Sequence, residues 1–315
     1  MSIIYLIINE DLNKVTINRQ KIIDEHGGRK MYKIIEKRTL APQIFLMDIE
    51  APRVAKSAKP GQFVIIKMDE KGERIPLTIC DYDTERGTVT IVVQTLGCST
   101  KKMAKYEVGD SFVDFVGPLG QESELMHESI EDLKNKKIMF IAGGVGTAPV
   151  YPQVKWLSQQ GVKADVIIGA KAEEYVILEE EMKKVAGTVY PCTDDGSYGF
   201  KGLVTNKLKE LVQNEGKNYD LVVAIGPMIM MKFVCKLTEE LGITTIVSMN
   251  PIMVDGTGMC GACRITVGDE VKFACVDGPE FDGHKVNFDE AMRRQTIYKT
   301  EEEGIKPGCG LGGNK

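Results

Sequence analysis

The sequence predicts a multidomain chain of the β plus α/β class: an antiparallel β-barrel, a parallel-sheet α/β domain and a small cysteine-bearing domain. Three observations predict it. Residues 31 to 131 carry short β-rich runs at regular intervals with little helical periodicity. Residues 132 to 248 alternate strand-like and helix-like runs, the pattern of a parallel sheet. From residue 249 the alternation stops, and Asp255-Gly-Thr-Gly-Met-Cys260-Gly-Ala-Cys263 begins, with Cys275 following.

Composition narrows the function classes. The 315 residues suffice for two or three domains, and 43% hydrophobic with 27% charged residues is the balance of a globular chain. A formal net charge of -5 offers no electrostatic case for nucleic acid or an anionic membrane. The longest apolar runs, such as Ile138 to Ala142 and Val222 to Ile225, are far too short to span a bilayer. Met1-Ser-Ile-Ile-Tyr-Leu-Ile-Ile lacks a basic leader and a small-residue cleavage site, so no signal peptide is expected. Eight cysteines, three of them in one motif, suit a reducing compartment, and a cytoplasmic location is expected. His26, His127 and His284 are too scattered to form a metal site.

Residues 1–30 read as an extension of open role, with a short strand at Ile3 to Ile8 and a Gly27-Gly28 linker. A strand from Tyr32 opens the barrel, followed by Ile44–Ile49, Gln62–Met68, Val89–Gln94 and Ser111–Val116. Lys59-Pro60-Gly61 and Glu107-Val108-Gly109-Asp110 punctuate them. Between lies Arg74-Ile75-Pro76-Leu77-Thr78-Ile79. Its guanidinium suits the two-pronged pairing that a pyrophosphate accepts, and the Thr78 hydroxyl falls on the same face of an extended chain. An ordinary edge strand with proline on its free side fits the same residues. Leu96-Gly97-Cys98-Ser99-Thr100 reads as a phosphate-accepting helix start, and Gly117-Pro118-Leu119-Gly120 as a tight turn at the barrel exit.

In the α/β region the strand Lys137–Ala142 runs into Gly143-Gly144-Val145-Gly146-Thr147-Ala148-Pro149 and a helix beginning near Val150. Such glycines let backbone approach a pyrophosphate, although one glycine-rich turn alone is equally a plain strand-to-helix loop. Three further strands end in polar or glycine turns. Ala164–Gly169 leads to Ala170-Lys171-Ala172-Glu173-Glu174, Thr188–Pro191 to Cys192-Thr193-Asp194-Asp195-Gly196, and Leu221–Ile225 to Gly226-Pro227-Met228. Ligands of open α/β sheets gather at such carboxyl ends. Gly143, Gly144, Gly146, Thr147, Asp194, Asp195, Gly226 and Met228 are therefore the expected nucleotide contacts.

The third region carries D-x4-C-x2-C-x11-C, with Asp255 at the offset where C-x4-C-x2-C proteins place a thiolate. Asp255, Cys260, Cys263 and Cys275 are the expected ligands of a [2Fe-2S] cluster, with Gly256, Gly258 and Gly261 supplying backbone freedom. A zinc site or plain core cysteines are the alternatives, and the single C-x2-C disfavours zinc. Arg264–Val267 and Glu270–Cys275 read as a hairpin turning at Gly268-Asp269, which returns Cys275 to the C-x2-C loop. A helix from Asp289 and a glycine-rich tail with Cys309 complete the chain.

Arg74 to Thr78, Gly97 to Thr100 and Gly117 to Gly120 together resemble the flavin-binding domain of the ferredoxin reductase superfamily. That resemblance implies FAD held by Arg74, Pro76, Leu77, Thr78, Gly97, Ser99 and Thr100, with Thr78 the expected catalytic residue. The order GGVGTAP, TDDGSYGFKG, GPMIMM resembles the nicotinamide domain of the same superfamily. Glu173 and Glu174, where a 2′-phosphate would need arginines, favour NADH over NADPH. From Met31 to about Arg294 the chain resembles electron-transfer subunits of dihydroorotate dehydrogenase B. It is still more similar to small subunits of electron-bifurcating NADH-dependent ferredoxin:NADP+ oxidoreductases, also called sulfide dehydrogenase subunits, which hold their cluster with one aspartate and three cysteines. The implied route runs between NADH, FAD and the [2Fe-2S] cluster to a larger partner subunit that carries a second flavin, further clusters and the NADPH and ferredoxin chemistry. The expected domains are residues 1–30, 31–131 (FAD), 132–248 (NAD(P)), 249–290 (cluster) and 291–315. A docking module without activity and a stand-alone NADH reductase are the competing functions.

Overall fold

The computed structural model describes residues 31–297. The expectations for residues 1–30 and for the Cys309 tail lie outside the described residues. β1 (Tyr32–Ala41), β2 (Ile44–Glu50), β3 (Phe63–Lys67), β4 (Arg74–Asp83), β5 (Thr88–Gln94), β6 (Ser111–Phe112) and β7 (Asp114–Leu119) form an antiparallel sheet in the order β6-β1-β2-β5-β4-β3-β7. β6 and β7 are one bent strand interrupted at Val113, pairing with β1 at one end and β3 at the other. The bend brings the two edges of the sheet together as a barrel. Ile34, Met47, Ile66, Ile91 and Phe112 fill it, and α1 (Pro52–Ser57), with proline at its start, adds Val54 and Ala55.

β2 is buried on both faces, because alternate side chains serve two cores. Phe45, Met47 and Ile49 point into the barrel, whereas Ile44 and Leu46 join Cys80, Val92, Ala148, Ile177 and Leu178 in a core shared with the α/β region. A short helix, α2 (Cys98–Met103), follows β5, and α3 (Ile130–Asn135) precedes the second sheet.

That sheet contains β8 (Ile138–Gly143), β9 (Asp165–Ala170), β10 (Val189–Thr193), β11 (Phe200–Lys201), β12 (Leu221–Ile225) and β13 (Thr244–Ser248), joined by α4 (Thr147–Gln159), α5 (Glu179–Val185), α6 (Val204–Lys209) and α7 (Met228–Leu241). The strands are parallel in the order β11-β10-β9-β8-β12-β13. The order reverses between β8 and β12, and a crevice opens at such a switch point. α4 starts three residues earlier than the sequence suggested, because Thr147 Oγ1 donates to Gly144 O at 2.9 Å and turns the chain helical at once.

Beyond β13 the chain builds the hairpin β14 (Arg264–Val267) and β15 (Glu270–Phe273), turning at Gly268 with φ 60°, and then returns as β16 (Glu280–Asp282). β16 pairs antiparallel with β13, so the cysteine segment ends as an edge strand of the α/β sheet. α8 (Phe288–Arg294) closes the described chain.

Three regions meet at Glu280, which is 4% exposed. Its carboxylate accepts from Ser123 Oγ at 2.9 Å, Glu124 N–H at 2.9 Å and Gln153 Nε2 at 2.6 Å, tying the barrel exit, α4 and β16 together. Burial raises its pKa, opposed by these hydrogen bonds. Lys155 on α4 adds an ion pair to both carboxylate oxygens of Asp81 at 2.7 Å.

Candidate cofactor sites

β4 explains how a proline sits in the middle of a sheet. Its second half, Ile79 to Asp83, pairs with β5, while its first half, Arg74 to Thr78, pairs only with β3. Pro76 therefore occupies a stretch with an open side, as its missing N–H requires, although the strand as a whole is internal and not the edge strand that the sequence also allowed. Every residue from Arg74 to Thr78 is half-buried, and burial resumes at Ile79. This stretch of the barrel surface is neither paired with a second strand nor fully open to solvent.

The start of α2 lies beside it. Ser99 Oγ donates to Glu73, and Thr100 Oγ1 accepts from the N–H groups of Leu96 at 3.0 Å and Gly97 at 3.1 Å. Thr100 thus holds the turn with its hydroxyl. Arg74 reaches Asp114 Oδ2 at 3.4 Å and the backbone carbonyl of Asp255 at 3.5 Å. The expected flavin segment and the cysteine loop are therefore in contact. Gly256, at φ 80°, packs so closely on β3 that an added Cβ would lie 2.3 Å from Ile65 Cδ1.

At the switch point the turns after β8 and β12 touch backbone to backbone. A Cβ on Gly146 would lie 2.2 Å from Ile225 O, and one on Gly226 3.0 Å from Gly143 Cα. Gly143, Gly144, Gly146, Thr147, Gly226 and Met228 are thus gathered in one place. Asp194 and Asp195 sit one loop away, after β10, where Asp195 accepts from Ser197 N–H and Oγ. Ser197 Oγ in turn accepts from Glu173 N–H at 2.8 Å, locking the loops after β9 and β10 together.

In the cysteine segment Cys263 donates to Cys275, with sulfurs 3.2 Å apart and both residues 2% exposed. Burial, then the Cys263 contact, pushes the Cys275 thiol up to about 12. Cys260 lies exposed on the same loop. There the N–H of Ala262, with those of Asp255 and Val254, holds its thiol below the usual range. The Asp255 carboxylate folds onto its own loop, accepting from the Thr257 hydroxyl, Thr257 N–H and Met259 N–H, which keep it ionised. Among the described residues no three His, Cys, Asp or Glu side chains converge as a metal-holding group. The donor chemistry nevertheless fits a two-iron cluster: three thiols and a carboxylate on one loop and hairpin, hinged by Gly256, Gly258 and Gly261 at positive φ, with backbone N–H groups directed at sulfur.

Residues 250–287 match the iron-sulfur cluster binding domain of dihydroorotate dehydrogenase B, and residues 140–236 match the oxidoreductase NAD-binding domain. A Thermotoga maritima protein named dihydroorotate dehydrogenase B (NAD(+)), electron transfer subunit homolog, is 43% identical over 277 residues, spanning 88% of this chain and 95% of that protein. The chain belongs to the dihydroorotate dehydrogenase B electron-transfer subunit family. This electron-transfer subunit is also 64% identical over 296 residues to an uncharacterized protein from the adh 3′ region of Clostridium beijerinckii, covering 90% of this chain and all of that one. Its fold matches a chain of the NADH-dependent reduced ferredoxin-NADP oxidoreductase, solved for insight into flavin-based electron bifurcation, with a TM-score of 0.79 and 42% identity over 88% of this chain and 97% of that chain. The cytochrome b5 reductase domain of Ulva prolifera nitrate reductase shares the fold at a TM-score of 0.53, over 68% of this chain.

The electron-transfer subunit is thus an oxidoreductase component with a ferredoxin-reductase-like fold, an NAD-binding domain and an iron–sulfur domain. Among the described residues no helix is long and apolar enough to cross a membrane. Sequence reasoning missed the Ser123–Gln153–Glu280 junction, since isolated polar residues carry no local signal of burial. It also missed the folding of Asp255 onto its loop, although Asp-x-Thr is a turn signal that could have revealed it.

Proposed function

We propose that this chain takes hydride from NADH onto FAD at the barrel and passes electrons singly through a [2Fe-2S] cluster to a larger flavin and iron–sulfur subunit. The supporting observation is the contact of Arg74 with the Asp255 carbonyl, which joins the expected flavin strand to the expected cluster loop. Arg74, with Pro76 and Leu77 on the half-open strand and Gly97, Ser99 and Thr100 on the facing turn, would hold FAD. Thr78 would offer its hydroxyl to the flavin ring. Gly143, Gly144, Gly146, Thr147, Gly226 and Met228 would admit the dinucleotide, with Asp194 and Asp195 on its rim. Asp255, Cys260, Cys263 and Cys275 would hold the cluster. When bound, the flavin supplies the conversion between a two-electron hydride and single electrons that the other two carriers require.

Likeness to the NADH-dependent ferredoxin-NADP oxidoreductase supports a bifurcating complex whose larger subunit handles NADPH and ferredoxin. Family membership supports a second reading, service to a dihydroorotate dehydrogenase. Asp255, which fits the one-aspartate, three-cysteine ligand set of the bifurcating family that the sequence resembles, favours the first. The test is anaerobic purification of this full-length chain free of its partner subunit, followed by metal analysis, paramagnetic resonance after reduction, and flavin bleaching with NADH or NADPH, with co-purification of a larger subunit from the native source as the check on the partner. Flavin bleached by NADH, two irons per chain and a reduced-cluster signal are expected. Zinc, or no metal and no signal, overturns the proposal.

A further inference from the structure

Arg294 lies outside the residues that match the iron-sulfur domain, yet the structure sets it against the cluster loop. α8 is fastened to the cysteine segment along its length. Asn287 N–H donates to Thr266 O at 2.9 Å, Thr266 Oγ1 to Glu290 at 2.6 Å, and Gln295 Nε2 to Asn250 O at 3.1 Å. Phe288 and Ala291 are its buried face, and Arg294, three residues on, continues that face inward. Arg293, its neighbour, is exposed. The Arg294 guanidinium donates to Ala262 O at 3.2 Å, inside the C-x2-C turn between Cys260 and Cys263. Its Nε is buried and, among the described residues, is the one buried side-chain nitrogen or oxygen without a hydrogen-bond partner. Retaining such a group is costly unless a negative charge close by offsets it.

We propose that Arg294 is a positioning residue for the cluster, fixing the C-x2-C turn and holding a permanent positive charge beside it that raises the cluster's reduction potential. The inference rests on the reading that this loop holds a [2Fe-2S] cluster. Two ferric ions, two sulfides, three thiolates and a carboxylate sum to a dianion, and one entering electron makes a trianion with no proton taken up. A neighbouring cation that cannot deprotonate stabilises the more negative state. Arginine suits this role where lysine does not, because one planar fork can bind the Ala262 carbonyl and keep Nε–H directed inward.

The experiment compares the wild-type full-length chain, purified without its partner subunit, with R294Q and R294K, all prepared anaerobically, by iron content and by a redox titration followed through the paramagnetic signal. If the wild type carries no cluster, the functional reading above fails before Arg294 is tested. With iron retained, R294Q is expected to show a lower midpoint potential than wild type, and R294K a value between them. A fully loaded R294Q with the wild-type midpoint overturns the proposal, as does an R294K midpoint below that of R294Q. Loss of iron from R294Q while R294K stays loaded supports it. Equal loss from both makes Arg294 a steric pin and overturns the electrostatic assignment.

Discussion

The glycine turns at the switch point and the cysteine loop are both proposed to meet an anionic ligand, and Gly146 in the one and Gly261 in the other serve opposite needs. At the switch point Gly146 has an ordinary φ and no space, since an added Cβ would lie 2.2 Å from Ile225 O. In the cysteine loop Gly261 has a φ of 66° and open surroundings, with Phe273 3.5 Å from an added Cβ. Beside it Cys260 is exposed and Met259 is 87% exposed. The first site is rigid because two strands press their turns together, and the protein alone sets its shape. The second is held by hydrogen bonds within its own loop and by guanidinium contacts from Arg74 and Arg294 to its backbone carbonyls.

The largest effect that would sharpen this contrast is complete. C275S should lose its iron while flavin bleaching by NADH continues, measured by metal analysis and absorbance; loss of both would show that the two sites are not separable. G146A comes next, because methyl against backbone cannot be relieved by a rotamer change. It should cost about 3 kcal/mol in denaturant unfolding and slow flavin reduction by NADH. G261A, the same chemical change in the open loop, should cost only about 1 kcal/mol, from positive φ alone, with iron retained. Equal costs for the two glycine variants would break the contrast.

The junction at Glu280 gives a pH test that lies between the sites. Its folded pKa is raised by burial, so the stability it contributes is present below its unfolded value, about 4.3, and is lost as pH rises through the folded value. The difference in melting temperature between wild type and E280Q should therefore change across that window, the wild type losing ground as pH rises. A difference that is flat with pH would count against the assignment. The smallest effect is T100V, which leaves the Leu96 and Gly97 N–H groups without their acceptor and should cost about 0.5–1 kcal/mol of stability.

Much of this architecture is legible locally. A near-continuous apolar run marks β2, β-branched residues mark β5, and a glycine run after a buried strand marks the turn into α4. Pro52 in Ala51-Pro52-Arg53 was the available signal for α1, which went unread. The site as an assembly is not local. Nothing near Arg74 says that it meets residue 255, and nothing near Glu280 says that a carboxylate will be buried, because charge ordinarily means surface. The half-paired state of β4 depends on where β5 stops, which only the sheet decides.

The return of the chain at β16 has a wider consequence. Ser248, the last residue of β13, is the registered partner of Glu280, the first of β16, so the whole metal-bearing excursion leaves and re-enters the sheet at adjacent points. An excursion with neighbouring ends can be gained or shed without rethreading its host, although Ile265, Ala274 and Cys275 lie in one core with Ile65, Val247 and Phe288, which would have to be repacked. Exchanging residues 249–279 for a tight turn, with polar residues placed where the core is uncovered, should leave a flavin reductase that still accepts hydride but has lost its one-electron outlet. A reductase could thus acquire its wiring to a partner through a single insertion.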